Sequence, residues 1–498
     1  MFKKILISSI SSILLSATAQ AAITSGQLIA IGSLNGSTAG VNTDLSGLTN
    51  TLENGVAANF LGGMGSGLAY AGGNTFIATP DRGPNATAYN ALVDDTTSYI
   101  SRFQTISMDL VANTGAGLAY NLTPTLNATT LLSSATALNY GTGAGLGNKI
   151  DGTSIGSGAP DLNTTNNKYY FTGRSDNYGS ANPITGVADT TSANPSNARF
   201  DPEGVRVSND GLSVFISDEY GPYINQFNRV TGERIKSFAL PANLAIANQS
   251  PVGATEIANN TANGRVTNKG MEGLAITPDG STLVGIMQAP LGQDTKASGN
   301  TRIVTIDISS GTTHEYAYHL TTGSGVSEIV AINNHEFLVD ERDGNGLGAG
   351  NSASVKQLFK IDLTGATDVT SFSATGSAAD KLALTNAAVS KTLFLDVLTA
   401  LTANGFTGAT VPSKIEGVAF GQDITDNGVL FHTLYIANDN DFDPTNSGDN
   451  KFFVFAVADS ALSYQSQQIT AVPVPAAVWL FLTGFMGFLG LNRKRKAA

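Results

Sequence analysis

The chain has 498 residues, no cysteine, 55 glycines and only 13% charged residues. This rules out disulfide staples and thiol chemistry and favours many short strands and turns over amphipathic helices. The formal net charge is −12, and removing the six basic residues of the two terminal segments (Lys3, Lys4, Arg493, Lys494, Arg495, Lys496) takes it to about −18. Such a body argues against nucleic acid as a partner, because phosphate backbones need clustered Lys and Arg, and it is compatible with bound divalent cations.

In chain order, residues 1–21 predict a secretory signal peptide. Lys3-Lys4 form a basic start, 5–15 an apolar run, and Ala19-Gln20-Ala21 an A-x-A cleavage site before Ala22. Residues 22–470 then read as one large all-β domain, long enough for a repeat architecture. A strand is expected over 28–31, a loop or lid over 85–97 and a strand over 99–110. Residues 113–167 are low in charge and dense in Gly, Thr, Ser and Asn, which reads as a variable insertion of long loops. A short helix is expected within 241–267. Residues 378–403 mix helical and strand spacing and read as a helical insertion between repeats.

The repeating unit is clearest from Phe200. Asp201-Pro202-Glu203-Gly204 is an acidic turn, 205–207 a short alternating strand, and Asn209-Asp210-Gly211 a tight hairpin turn. A second strand over 212–217 ends on Asp218-Glu219, and further strands follow over 224–228 and 234–238. Four short strands in about forty residues are the size of one β-propeller blade. Met271-Glu272-Gly273 opens a second copy, and Ser327-Glu328-Ile329 a third, which runs to Glu341-Arg342-Asp343 with Ile329 in the glycine's place. Ile415-Glu416-Gly417 opens another, whose second strand ends in Asn438-Asp439-Asn440-Asp441. An earlier relative runs from Gly67 to Asp81-Arg82-Gly83-Pro84, with Ser66 instead of glutamate.

The ordered series Asp-Arg-Gly-Pro, Asp-Pro-Glu-Gly, Asp-Glu-Tyr-Gly-Pro, Met-Glu-Gly-Leu-Ala, Glu-Arg-Asp, Ile-Glu-Gly and Asn-Asp-Asn-Asp-Phe resembles the phytase-like ("esterase-like activity of phytase") family over residues 62–455. The resemblance implies a secreted β-propeller with an acidic, calcium-binding centre. Six or seven blades are expected.

The C-terminal segment, 471–498, is separate. An apolar run from Val472 to Leu491 ends in Arg493-Lys494-Arg495-Lys496, close to the ~17–25 residues that span a bilayer, with the basic end cytoplasmic. It resembles a PEP-CTERM sorting signal with Val474 in the glutamate's place, and an ordinary membrane anchor fits the same pattern. The resemblance implies an exosortase-type processing enzyme as partner, transient anchoring in the inner membrane, and release to the cell surface or an extracellular polysaccharide matrix.

Glu203, Glu272, Glu328 and Glu416 each precede an inner strand, and equivalent positions of successive blades converge on a propeller's axis. Four carboxylates there cannot all ionise without cations, and hard oxygen donors without cysteine point to Ca2+. A second acidic set, Asp218, Glu219, Glu341, Asp343, Asp439 and Asp441, ends the second strands. The two sets together are expected to face one mouth and bind calcium. The same glutamates also suit a structural part, accepting backbone N–H bonds and pinning one blade to the next.

Arg82 and Arg342, each after an acidic residue, suit a phosphate or carboxylate. With Glu272 they form the candidate catalytic set. Competing motifs are weak: Gly152-Thr153-Ser154-Ile155-Gly156 lacks a strand–turn–helix context, the four histidines show no metal spacing, and Pro444 breaks an EF-hand beginning at Asp439. The leading expectation is a calcium-dependent hydrolase of a small phosphorylated substrate. The alternatives are a non-catalytic, calcium-stabilised surface or matrix propeller and a carboxylester or lactone hydrolase.

Overall fold

The computed structural model describes residues 22–34, 42–85, 96–143, 145–174, 192–246, 248–250, 253–260, 262–294, 299–372 and 377–470. The signal peptide expected over 1–21 and the sorting helix expected over 471–498 lie outside the described residues. Among the described residues no helix is long and apolar enough to cross a membrane.

Five antiparallel sheets surround one axis, each built on four strands in order, and the fifth also carries the short strand Ile424–Asp426. Blade I is Gly67–Tyr70, Thr75–Thr79, Arg102–Ala112 and Tyr120–Leu131. Blade II is Pro202–Val207, Ser213–Asp218, Ile224–Asn228 and Arg234–Phe238. Blade III is Met271–Ile276, Thr282–Met287, Asn300–Asp307 and Thr313–His319. Blade IV is Gly325–Ala331, Glu336–Arg342, Lys356–Asp362 and Lys391–Asp396. Blade V takes Lys414–Phe420, Val429–Asp439 and Asn450–Ala458 from the end of the domain. Its outer strand is Gln27–Leu34 from the beginning, with Gln27 opposite Ala456 and Leu34 opposite Asn450. That pairing closes the ring non-covalently.

The turns explain the hairpins. In blade II, Asp210 Oδ1 accepts from the Leu212 N–H at 2.9 Å, and in blade III Asp279 Oδ1 accepts from the Ser281 N–H at 3.0 Å. The glycines that follow these aspartates, Gly211 and Gly280, have φ of 71° and 74°, the left-handed conformation that a residue without Cβ adopts freely.

The blade count corrects the expectation of six or seven. Residues 113–167 contribute no further blade: Tyr120–Leu131 is the outer strand of blade I, and Ser133–Ser134 forms a two-stranded ladder with Tyr169–Tyr170 and an isolated bridge from Ser133 to Glu233. Residues 378–403 form a helix, Ala378–Ala387, the outer strand of blade IV and a second helix, Val397–Thr402, which is why their spacing is mixed. Five inner strands pack in the cyclic order I to V and back to I, a narrow ring that leaves little room at the axis. A Cβ on Gly204 would sit 2.4 Å from the Leu274 nitrogen, and one on Gly273 would sit 2.7 Å from the Ile329 nitrogen. The glycines after Glu203, Glu272 and Glu416 therefore permit close approach of neighbouring strands.

The axis is tied by one buried ion pair. Arg206 of blade II donates to the carbonyl oxygens of Leu68 in blade I (2.7 Å), Ile329 in blade IV (2.8 Å) and Val418 in blade V (3.3 Å). Its guanidinium lies 3.1 Å from Glu328 Oε2, while Glu328 Oε1 accepts from the Leu274 N–H of blade III at 2.9 Å. All five inner strands thus meet on this pair. The opposite mouth is crossed by the segment 462–470, where Gln465 N donates to the Ile332 carbonyl and Gln467 Nε2 to the Val207 carbonyl, at 2.8 and 2.7 Å.

Burial pushes Glu328 up to about 7, outweighing Arg206 and the N–H donors of Ile329 and Leu274. A raised folded-state value stabilises fully below the unfolded value near 4.5 and is lost as pH rises through about 7. Arg206→Ala should lower unfolding free energy by about 3–5 kcal/mol, because it strands a buried carboxylate, and Arg206→Met with Glu328→Leu should recover most of it. Urea titration from pH 5 to 8 should show falling stability, with a shallower slope in Glu328→Gln. An Arg206→Ala midpoint equal to that of the unaltered chain would sink the axial tie.

Candidate functional site

The inner strands bulge where they reach the mouth. In blade III, Met271 pairs with Met287 and Gly273 with Ile286, leaving Glu272 unpaired. In blade II, Glu203 and Gly204 stand opposite Ser217 alone, and in blade V Glu416 and Gly417 stand opposite Ala437. A bulge re-aims a side chain and ends the ladder, and here it turns three glutamates into the mouth. Glu219, Gln288, Arg342 and Asp439, each one place beyond the matching pair on the second strand, stand beside them.

Blade IV is offset by one residue. Val326 pairs with Glu341 and Glu328 with Asp340, so the unpaired residue is Ser327. Ser327 therefore takes the glutamate's place and Glu328 the glycine's. A one-residue slip moves a side chain to a different environment, and Glu328 becomes the partner of Arg206 and of blade III's backbone instead of facing the mouth. Glu341 points to the other face of its strand, where Oε2 accepts from the Thr321 N–H and Ser324 Oγ, both at 2.8 Å, and Oε1 meets Lys391 and Tyr318. Asp343 is held by Lys356 at 3.0 Å and by Ser354. Asp218 lies behind the mouth, its Oδ1 accepting from the N–H groups of Asp201 and Tyr220 at 3.1 and 3.0 Å.

Two carboxylate groups remain at the mouth. Asp201, Glu203 and Glu219 present oxygens within 4.8 Å of one another, as do Asp81, Asp439 and Asp441. Lys414 already sits in the second group, 2.8 Å from Asp439 Oδ2 and in contact with Asp441. Arg82 binds Asp201 at 3.2 Å and donates to Asn268 Oδ1 at 2.7 Å. Arg342 meets Glu416 directly and lies 3.8 Å from Glu272, joining blades III, IV and V. Gln288 Nε2 donates to Glu272 Oε1 at 2.6 Å. Glu219 Oε1 and Glu272 Oε2 are buried without a hydrogen-bond partner among the described residues.

The crowding sets the protonation. Burial first, and then the charges of Glu272, Asp201, Glu219 and Glu416, raise Glu203 well above the usual carboxylate range. Burial and the charges of Glu219 and Glu416 do the same to Glu272, with Arg342 opposing. Burial and Asp439 raise Asp81. Burial lifts Asp439 to about 6 despite Lys414, whereas Lys414 overcomes burial at Asp441 and holds it low. Arg342 keeps its charge, since Glu416, Glu272 and Asp340 outweigh its burial.

This donor set fits a hard cation. Three carboxylates with an unpartnered oxygen at Glu219, and Glu272 close by, are the all-oxygen environment calcium takes, and a dication would relieve their mutual repulsion. The group around Asp81 fits less well, because Lys414 supplies its positive charge.

Asp81, Asp201, Lys414 and Asp340 were not among the residues singled out from sequence. Asp81 and Asp201 stand inside the motifs used to find the blades. Strand spacing is the signal for Asp340, two residues from Arg342 on the same face, while Lys414 stands opposite Asp439 across the hairpin.

Calcium added to chelator-treated protein at pH 7.5 should raise the unfolding temperature, with a gain of about 2.7 kcal/mol at a hundredfold excess over Kd. Glu219→Gln should lose most of that gain and be more stable than the unaltered chain in chelator, having one less confined charge. Equal calcium shifts in Glu219→Gln and the unaltered protein would exclude this group as the site.

Residues 59–442 match the model of the phytase-like family, described as esterase-like activity of phytase. An uncharacterized secreted protein of Arthroderma benhamiae is 29% identical over 179 residues, covering 29% of this chain and 35% of the relative, so the match spans about a third of that protein's length. Among solved structures, the periplasmic gluconolactonase of Pseudomonas aeruginosa is 11% identical, with 86% of this chain and 99% of that one covered at a TM-score of 0.31. A putative 6-phosphogluconolactonase of Bacteroides uniformis is 12% identical, with coverage of 81% and 86% and a TM-score of 0.29. With the family model matching most of its length, the chain belongs to the phytase-like family of esterase-like activity.

Proposed function

We propose that the protein is an exported hydrolase of small phosphoesters, assisted by a calcium ion held by Asp201, Glu203 and Glu219. Membership of a family described by an esterase-like activity supports a hydrolase-type propeller. The observation that carries the finer reading is the pairing of a dense carboxylate group, with Glu219 Oε1 unpartnered, and the charged Arg342 at one mouth.

Bound calcium would supply Lewis-acid polarisation for the phosphoryl group. The chain's own residues do the remaining work. Arg342, fixed by Glu416 and Glu272, presents its guanidinium to phosphoryl oxygens and stabilises the charge that grows there. Glu272 is anchored through Oε1 by Gln288, and its Oε2 is left to take a proton from water. Water oxygen then adds to phosphorus, the ester P–O bond breaks, and the leaving alkoxide takes the proton that Glu272 accepted, which restores the carboxylate. Because burial raises Glu272, activity should climb with pH as this carboxyl ionises.

A second reading has its own support. Arg342 and Arg82 are both engaged by carboxylates, and the Arg342 contacts join three blades, which equally suits a calcium-stabilised propeller of the cell surface or matrix. Chain ends at Ala22 and ahead of Arg493, found by mass spectrometry of the secreted protein, would fit export followed by exosortase-type sorting; a retained Arg493–Lys496 end would defeat processing.

Assays of phytate, a chromogenic phosphomonoester and a carboxylester separate the functions. Phosphatase activity should require calcium and fall by a factor of about 100 or more in Arg342→Ala and Glu272→Gln, the scale of one lost electrostatic or acid–base group. Carboxylester turnover alone would move the reaction to an acyl centre, and stabilisation by calcium without any turnover would leave the structural reading.

A further inference from the structure

A cavity of about 650 Å3 opens between blades III and IV, beside the acidic mouth, within the size range of small-molecule sites. Lys269, Gln288, His319, Thr321, Ser324 and Arg342 stand on its wall, and among the described residues no Asp or Glu lines it. In a chain with 39 acidic and 27 basic residues, a wall with two cations and no carboxylate is unusual. It also adjoins the most acidic part of the molecule.

The wall is built, not incidental. Lys269 Nζ donates to Gln288 Oε1 at 2.6 Å, and Gln288 Nε2 donates to Glu272 Oε1 at 2.6 Å, a chain leading from the cavity to the mouth. Glu341, buried behind the rim, fixes the turn by accepting from the Thr321 N–H and Ser324 Oγ. Arg342 is held through Nη2 by Glu416, while its Nε is buried without a hydrogen-bond partner among the described residues. Two cations and several hydroxyls match a compact dianion better than a single carboxylate. The volume leaves space for a small organic group attached to it.

We propose that this cavity is the anion pocket of the propeller. It takes the phosphate group of the small phosphoester, with Lys269 and Arg342 as specificity-determining cations. The proposal rests on the hydrolase reading for its biological use, but the binding stands apart from turnover. It gives Glu341 a positioning part, as the group that shapes the pocket's rim.

Calorimetric titration of the full mature chain with inorganic phosphate, in chelator and at fixed ionic strength, tests it. Saturable binding should weaken tenfold or more in Lys269→Ala. It should be lost in Thr322→Asp, which places a negative charge on an exposed rim position and should leave the unfolding temperature unchanged. Acetate should bind more weakly than phosphate. No phosphate binding to the unaltered chain, unchanged affinity in both variants, or tighter binding of acetate would each overturn the pocket. Phosphate binding of the expected pattern without hydrolysis of any ester would overturn the hydrolase reading and leave the pocket standing. Turnover with an unchanged KM in Lys269→Ala would do the reverse.

Discussion

Five inner strands converge on Arg206 and Glu328, and the rest of the molecule is arranged to let them do so. A buried guanidinium has five donors to satisfy, and here the acceptors are strand carbonyls of blades I, IV and V together with the Glu328 carboxylate. Such a pair adds little net stability over an apolar plug, because desolvation of both charges offsets their attraction. Its value lies in specificity. An apolar plug would tolerate a ring of strands slipped or rotated against one another, whereas a planar fork with several fixed acceptors accepts one arrangement. The glycines after the glutamates, which let neighbouring strands approach, follow from the same narrow ring.

The opposite end of that ring carries the cost. Seven or more carboxylates crowd a mouth only five strands wide, and burial with like charge raises Glu203, Glu272 and Asp81 together. The structure meets this in two ways. Around Asp439 and Asp441 a lysine is built in, and around Glu416 an arginine. Around Glu219 no basic side chain is in salt-bridge contact with its carboxylate among the described residues, and one oxygen remains unpartnered. Arg82 pairs with Asp201 at this third site, so Glu203 and Glu219 are the carboxylates there without a salt-bridge partner among the described residues, and they gain most from an ion in solution.

How much of this was legible in the sequence depends on what each signal measures. The blade motif was readable because turn chemistry is local: an Asp-Gly pair between two alternating runs dictates a hairpin wherever it occurs. All five glutamate- or serine-bearing copies were visible, yet the ring size was not, since no local signal distinguishes a loop-rich insertion from a degenerate blade. Ring closure by Gln27–Leu34 joins residues more than 400 positions apart and has no local mark. Glu328 shows the limit most clearly. Aligned by residue type it matches Glu272, but the ladder places Ser327 there, because strand register is set by pairing along the whole hairpin and a single bulge shifts it by one. The alternation rule could have found Asp340 from Arg342, since a period of two puts residues i and i+2 on one face.

The register of blade IV also shapes the chemistry of the mouth. Blades I, II and V place Asp81, Glu219 and Asp439 at the ends of their second strands, and blades III and IV place Gln288 and Arg342 there. Ser327 in the glutamate's position removes one more negative charge from the same side. The mouth is therefore uneven, with most of its carboxylates over blades V, I and II, and with Gln288 and Arg342 over III and IV. Glu272 and Glu416 lie at the seam, both within reach of Arg342. A ligand with a negative end and a polar body meets a field that can orient it in only one sense, anion toward Arg342 and Lys269. A bound cation on the acidic side would steepen that field. The one-residue slip that gives Arg206 its partner at the axis thus also puts Ser327 where blades II, III and V carry a glutamate, so the tie that closes the ring and the lower negative charge on blade IV's side of the mouth come from the same change in register.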